Sequence, residues 1–453
     1  MAIAIALILL VVWSLFFHFA SPWYLTPIAS NWGMIDTTID ITFVVTGIVF
    51  VAVNLFMAYC IIKFRHKKGK QQKAEYEPEN TKLEVWLTVI TTIGIAAMLA
   101  PGLIVWNDFV NPPQDAVEVE VVGQQWHWSF RLPGEDGQLG NVDVRYMSKS
   151  NPFGIDSEDP AGLDDILIGD SSTLHLPINQ PTKVLLRSKD VLHDFAVPQF
   201  RIKMDLVPGM VTYAWFTPTK TGTYDILCEE LCGISHHAMR GKVIVDEPSD
   251  YQTWLQEQVT FADLQNRPKG DPELGKTNFA ICAACHGQNG EGMQVLNAPK
   301  LTGQEPLYLK RQLQYWKKGI RGASEGDIYG ATMTPLMVTL PDQASIDNVV
   351  AYIESLPSEP AEKTISGDIS TGRYIYSTCS ACHGADGKGI WSMNAPALAD
   401  MTDWYLARQL KNYKDGIRGK HPGDPYGYQM NMMVDILPDE KAINDVIAYI
   451  NTL

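Results

Sequence analysis

The chain has 453 residues, which suggests roughly three domains at about 150 residues each. Lys and Arg total 36 against 51 Asp and Glu, a net charge of -15 and a pI near 5.1, which excludes the basic excess of a nucleic-acid binder. Hydrophobic residues at 46% with charged residues at 19% exclude both a disordered chain and a wholly membrane-embedded one.

The apolar residues are concentrated at the N-terminus. Met1 to Phe17 carries no charged side chain, and with His18 neutral the next acidic or basic residue is Asp36. Ile41 to Ile62 and Val85 to Trp106 are each 22 uncharged residues. About 20 apolar residues cross a bilayer as a helix, so spans are predicted near 1–20, 41–62 and 85–106. The first has no Lys or Arg before its apolar run, so it reads as a retained helix rather than a signal peptide. Lys63, Arg65, Lys67, Lys68, Lys70 and Lys73 separate the last two spans, whereas only Asp36 and Asp40 separate the first two. Basic loops favour the cytoplasmic side, so 63–84 is predicted inside and everything after Trp106 outside, on the periplasmic face of a bacterial inner membrane. Trp23, Trp32, Trp86 and Trp106 stand near span ends as interfacial anchors. Cys60, alone in a span, reads as a packing residue.

From about Val117 to Val245 the pattern changes to short β-rich runs punctuated by Gly and Pro, among them Val117–Val121, Lys183–Leu186, Val211–Phe216, Thr223–Leu227 and Lys242–Val245. These predict a Greek-key β-sandwich. Its chemistry lies in Cys228-Glu-Glu-Leu-Cys232-Gly-Ile-Ser-His236-His-Ala-Met239. Two cysteines spaced this way can form a disulfide in an oxidising compartment. The accompanying imidazole and thioether favour a soft metal, and copper in particular. Two thiolates can bridge two coppers, and Asp190-Val-Leu-His193 offers the second imidazole. His175 and His237 lack partners at ligand spacing. Asp156, Glu158, Asp159, Asp164 and Asp165 read as a solvated loop.

These motifs, with His193-Asp-Phe-Ala-Val-Pro198 and the aromatic segment Gly123-Gln-Gln-Trp126-His-Trp128-Ser-Phe130, resemble cytochrome c oxidase subunit II of the dinuclear CuA type over about residues 40–247. The resemblance implies a cupredoxin-like domain with copper ligands His193, Cys228, Cys232, His236 and Met239 and the backbone carbonyl of Glu230. It implies a magnesium ion shared with subunit I through the Glu230 side chain, and Trp126 as the residue through which electrons enter. It also implies that Glu84 lies near a proton-channel entrance. There the family usually has Trp three residues and Pro seven residues later, where this chain has Leu87 and Thr91.

Cys282-Ala-Ala-Cys285-His286 and Cys379-Ser-Ala-Cys382-His383 are C-x-x-C-H motifs, each able to form two thioether links to a haem with His as axial ligand. A common offset carries Tyr308, Arg311, Gly319, Arg321 and Tyr329 onto Tyr405, Arg408, Gly416, Arg418 and Tyr426, so one all-helical domain is duplicated in tandem. The copies resemble class I cytochrome c domains, predicted at 271–357 and 368–453, after a copper domain at 115–247. A methionine as second axial ligand raises haem potential. Met333 and Met430 occupy equivalent places in the repeats, whereas Met337 and Met432 have no methionine counterparts, so the first pair is preferred. Arg321 and Arg418 are candidates to pair with haem propionates or to be solvated helix-end charges.

The expected architecture is therefore multidomain: N-terminal transmembrane α-helices, a cupredoxin-like β-sandwich and two all-α cytochrome c domains. The expected function is electron input to a haem–copper oxidase, with two coppers and two covalent c-type haems. The partners are oxidase subunit I, other membrane subunits and an external donor such as a cytochrome or a respiratory complex. No complete active site is expected in this chain. A CuA-containing nitric oxide reductase subunit, a di-haem peroxidase and a copper-delivery protein are the alternatives. Because the first haem repeat follows the copper domain directly, it is expected to sit nearer Trp126, with the second repeat meeting the external donor.

Overall fold

The computed structural model describes residues 1–22, 26–66, 78–169, 172–266 and 269–453. Trp23 and Lys67, Lys68, Lys70 and Lys73 lie outside them. Three helices near the N-terminus are long and apolar enough to cross a membrane: α1 (Ala2–Ala20), α2 (Gly33–Lys63) and α3 (Thr81–Val110). α2 and α3 outrun their apolar cores, with Asp36 and Lys63 in the end turns of α2 and Glu84 in the first turn of α3. Most of their side chains are exposed, as lipid-facing helices require. Within α2 the hydroxyls of Thr38, Thr42 and Thr46 donate to the carbonyls of Met34, Thr38 and Thr42, so these polar groups need no water.

The sandwich contains ten strands: β1 (Val117–Gln124), β2 (His127–Leu132), β3 (Ile166–Ile168), β4 (Thr173–Pro177), β5 (Thr182–Ser188), β6 (His193–Val197), β7 (Ile202–Leu206), β8 (Thr212–Phe216), β9 (Gly222–Leu227) and β10 (Arg240–Asp246). They form two sheets, ordered β3-β2-β1-β5-β8 and β4-β10-β9-β6-β7. Trp128, Phe130, Phe195 and Phe216 are fully buried in the core between them. Alternation along β1 sends Glu120 to the side opposite Val119 and Val121. There Glu120 is buried with Arg131 and Arg187, and Arg131 also reaches Asp165 at 2.5 Å. Asp165 therefore departs from the solvated-loop reading: it is buried, and burial pushes its carboxyl up to about 6 despite the guanidinium of Arg131.

The sandwich is tied to the start of α2 and the end of α3. Trp32 Nε1 donates to the Trp215 carbonyl at 2.9 Å, and Trp215 Nε1 donates to the Asp108 carbonyl at 3.0 Å. Arg201 makes a two-toothed pair with Asp36 at 2.7 and 2.9 Å, a geometry that fixes orientation as well as distance.

Each C-terminal repeat packs its first helix across its last. The approach requires glycine: a Cβ on Gly275 would lie 1.9 Å from the Asn348 carbonyl, and one on Gly372 would lie 1.9 Å from the Asp445 carbonyl. The repeats then meet through reciprocal contacts. Arg321 donates to Tyr405 Oη at 2.8 Å, and Arg418 donates to Tyr308 Oη at 3.1 Å. Arg311 and Arg408 donate to Asn394 and Asn297 at 2.9 and 2.7 Å, and lie over the rings of Tyr426 and Tyr329. Each contact recurs with the two repeats exchanged, which is the signature of a pseudo-two-fold interface.

Candidate metal centre

β6 and the loop after β9 bring the soft-ligand residues together at one end of the sandwich. Cys228 Sγ lies 3.7 Å from Cys232 Sγ, too far for a disulfide and close enough for shared coordination. His193 Nδ1 is 3.9 Å from Cys228 Sγ, His236 Nδ1 is 3.4 Å from Cys232 Sγ, and Met239 Sδ is 3.8 Å from Cys232 Sγ. The Glu230 carbonyl oxygen lies 3.2 Å from Cys228 Sγ. One imidazole thus stands on each sulfur. Among the described residues, the side chains of His193, Cys228 and Cys232 form a compact cluster that could hold a metal ion.

The surroundings orient these groups. Asp190 pairs with His193 Nε2 at 2.8 Å, which turns Nδ1 toward the sulfur. Burial alone would lower the His193 imidazole, but the Asp190 carboxylate and the Cys228 sulfur turn it upward. Hydrogen bonding from the Cys232 thiol, helped by His193 and the Asp194 backbone N–H, holds Cys228 well below an ordinary thiol. Cys232 is pushed upward, chiefly by that same bond. A metal that takes thiolates relieves the conflict by accepting both sulfurs. Gln125 Nε2 and Trp126 Nε1 both donate to the Cys232 carbonyl, at 2.7 and 3.1 Å. Asp190 and Gln125 were not foreseen as supports of the site. The position of Asp190 three residues before His193 was the available signal.

In both repeats the C-x-x-C-H histidine lies buried in an apolar cavity. His286 Nδ1 donates to the Pro299 carbonyl at 2.7 Å and His383 Nδ1 to the Pro396 carbonyl at 2.9 Å. Burial lowers both imidazoles toward the neutral form, and the Nδ1 bonds leave Nε2 as the nitrogen available to a metal. Met333 and Met430 line the cavity with Cys282, Cys285, Cys379 and Cys382. Met337 packs into the first repeat's core instead. Three buried arginines, Arg311, Arg321 and Arg418, and the half-buried Arg408 border the cavity, and Arg311 Nε, Arg321 Nε, Arg408 Nη1 and Arg418 Nε have no hydrogen-bond partner among the described residues. The fit to haem is therefore chemical as well as spatial: apolar walls for a macrocycle, and unpaired guanidinium donors for its propionates.

The order of the repeats in space reverses the expectation from chain order. The second repeat, not the first, lies against Trp126. Gln429 Nε2 donates to the Trp126 carbonyl at 2.7 Å, and Tyr426 Oη donates to the Gly169 carbonyl at 3.0 Å. The Tyr426 ring meets His127 edge-on, and Gln124 bonds the Ser392 carbonyl. The first repeat contributes a Glu305–Lys149 pair at 2.9 Å. The reversal arises because the connecting segment is packed, not a free tether. Trp254 stacks on His175, which pairs with Asp246, and Phe261 is buried with Val122, Phe153 and Ile155. Proximity along the chain therefore does not set proximity in space.

The family model "Cytochrome C oxidase subunit II, periplasmic domain" matches residues 117–246, and the "Cytochrome c" model matches 272–357 and 369–453. The alternative cytochrome c oxidase subunit 2 of Bradyrhizobium diazoefficiens is 61% identical over 267 residues, covering 59% of this chain and 95% of that protein. The chain belongs to the cytochrome c oxidase subunit 2 family. Cytochrome c oxidase subunit 2 of Cereibacter sphaeroides is 28% identical over 243 residues, 51% of this chain and 77% of that protein. Among solved structures, reduced cytochrome c4 from Pseudomonas stutzeri is similar at 29% identity, with 41% of this chain and 99% of that chain covered and a TM-score of 0.34. As a subunit 2 with two cytochrome c domains, the chain has an oxidase electron-input role and associates with the catalytic subunit. Its copper domain implies copper and its cytochrome domains imply haem. The three apolar helices make it a membrane-anchored protein.

Proposed function

We propose that this subunit takes electrons in at its first cytochrome domain, passes them to the second across the pseudo-two-fold interface, and delivers them through Trp126 to a dinuclear CuA centre and on to subunit I. One observation carries the order: Gln429, next to Met430, is hydrogen-bonded to Trp126, whose indole is hydrogen-bonded to Cys232. A short path of covalent and hydrogen bonds thus joins the second haem site to the copper site. Family membership favours an oxidase over a nitric oxide reductase or a peroxidase.

His193, Cys228, Cys232, His236, Met239 and the Glu230 carbonyl would hold the two coppers. Cys282, Cys285, His286 and Met333 would hold one haem, and Cys379, Cys382, His383 and Met430 the other. When bound, these groups supply one-electron transfer. The protein fixes the imidazoles through Asp190, Pro299 and Pro396, and keeps Trp126 dry between two domains. The Glu230 side chain would share a magnesium ion with subunit I. Glu84, in the first turn of α3, would stand at the mouth of a proton channel on the cytoplasmic side.

The test removes the second haem alone. In the intact oxidase, Cys379→Ala with Cys382→Ala is expected to leave the first haem reducible by the natural donor while CuA reduction by that donor slows at least about a hundredfold. Unchanged CuA reduction would overturn the order.

A further inference from the structure

The two cytochrome domains are copies, so a face used by one can be located on the other. In the second domain the face around Cys382 is covered by the copper domain. There Ser392 takes the Gln124 bond, Gln429 reaches Trp126, Met433 lies on Ser235, and Tyr426 meets His127. The equivalent positions in the first domain are Val295, Thr332, Leu336 and Tyr329, around Cys285.

That second copy of the face is open. Val295 is 87% exposed, Leu296 49%, Tyr329 47% and Ile281 43%, and Cys285 is exposed as well. The two faces differ in chemistry at two pairs of positions. Thr378 and Ser392 on the covered face become Ile281 and Val295 on the open one. The covered face is held by hydrogen bonds from Gln124 to the Ser392 carbonyl and from Gln429 to the Trp126 carbonyl. On the open face the side chains of Ile281, Val295 and Leu296 are aliphatic, and none of the five residues Ile281, Cys285, Val295, Leu296 and Tyr329 is charged. Contiguous exposed aliphatic and aromatic side chains mark surfaces that a partner covers. Placed over a redox group, such a surface fits a small, transient interface that forms and dissolves on every turnover.

We propose that Ile281, Cys285, Val295, Leu296 and Tyr329 form the docking face for the external donor, a one-electron carrier protein with an apolar, uncharged rim around its own redox group. The occupant follows from the duplication: the equivalent face of the second domain is already seated on a redox domain. The proposal rests on electron input at the first domain. In each encounter one electron would leave the carrier for the haem that Cys282, Cys285 and His286 would hold, with no bond made or broken. None of the five residues is charged, and the guanidinium beside them, Arg408, is half-buried over the Tyr329 ring, so association is steered little by electrostatics.

Val295 is the residue to change, because it is the most exposed of the five and does not line the haem cavity. The probes are a monohaem cytochrome c with an uncharged haem rim, a second with a lysine-rimmed haem edge, and the small reductant tetramethylphenylenediamine, each given to the intact oxidase. Val295→Lys and Val295→Asp are both expected to raise KM for the uncharged-rim cytochrome about tenfold, with the tetramethylphenylenediamine rate unchanged. Wild-type KM for that carrier should vary less than about twofold between about 20 and about 300 mM salt. Opposite effects of Lys and Asp, or preference for the lysine-rimmed cytochrome, would overturn the apolar character of the face. Unchanged KM in both variants, or a shift only in the oligomeric state of the oxidase, would overturn the donor assignment. Stopped-flow reduction of the Cys379→Ala, Cys382→Ala oxidase separates the two readings. If the uncharged-rim cytochrome reduces its remaining haem equally fast with and without Val295→Lys, the docking face fails while input at the first domain stands. If it does not reduce that haem at all, the input order fails.

Discussion

Gln429 of the second cytochrome domain donates a 2.7 Å hydrogen bond to the carbonyl oxygen of Trp126 in the copper domain. A buried Trp126 carbonyl that loses this donor keeps its desolvation cost, so removing the side-chain amide loosens the seat of the whole domain. Gln429→Leu is expected to weaken docking by about 1 kcal/mol, or about fivefold. Electron delivery from the second haem to CuA should slow by a similar factor with both haem potentials unchanged. Rapid-mixing absorbance at the CuA band measures it, and an unaltered rate would remove Gln429 from the path.

The two sulfurs are expected to act as one unit. With Cys228 and Cys232 only 3.7 Å apart and an imidazole on each, neither of the two proposed copper positions would be complete without both. Cys228→Ser should abolish the mixed-valence copper signal in paramagnetic resonance while both c-type haem spectra persist. A normal mixed-valence signal in that variant would contradict shared coordination.

Most of the candidate site could be read from spacing, because the residues proposed to hold the groups come in short local runs: Cys228 to Met239 in one loop, and each C-x-x-C-H in one helical turn. The repeat offset also singled out Met333 and Met430, which line the cavity, over Met337, which does not. Relations between distant segments were not legible. Nothing in local periodicity shows that Glu120 would be buried with Arg131 and Arg187, or that a segment bearing Trp254 and Phe261 would pack on the sandwich and put the second repeat beside Trp126. The reciprocal Arg–Tyr contacts were legible in part. The offset paired Arg321 with Arg418 and Tyr308 with Tyr405, but only three-dimensional packing crosses them.

Membrane orientation gives a third prediction. Lys63 closes α2 and Arg65 follows, whereas the connection from α1 to α2 carries no Lys, Arg, Asp or Glu and Asp36 stands in the first turn of α2. Basic residues are retained on the cytoplasmic side. A cysteine introduced by Glu79→Cys should react with a membrane-impermeant maleimide only in inside-out vesicles, and one introduced by Glu247→Cys only from the periplasmic side. Labelling of Glu79→Cys in intact spheroplasts would invert the topology.

A buried carboxylate gives the fourth, with a defined pH dependence. Asp403 is fully buried at the start of a helix in the second cytochrome domain. It accepts hydrogen bonds from the backbone N–H groups of Thr364 and Ile365, the Thr364 hydroxyl and the Asn451 amide at 2.6 to 3.1 Å. Burial alone would raise its pKa, but the Ile365 and Thr364 donors outweigh it and hold the carboxyl below its ordinary value of 3.8. Because the folded state binds this proton less tightly than the unfolded state, the stabilisation is present above the unfolded pKa. It is lost as pH falls through the lower folded value. Asp403→Asn removes an ionised acceptor while keeping the shape. It is expected to cost the second domain about 1–3 kcal/mol at neutral pH. The first domain supplies an internal control, because the equivalent position is Pro306. Guanidinium titration of the oxidase, followed at the two c-type haems, should show the second haem's midpoint falling in the variant while the first stays fixed. The gap between variant and wild type should narrow below about pH 4, where the unfolded carboxyl begins to hold its proton. A gap that is constant from neutral to acidic pH would mean that Asp403 acts through packing rather than through its charge.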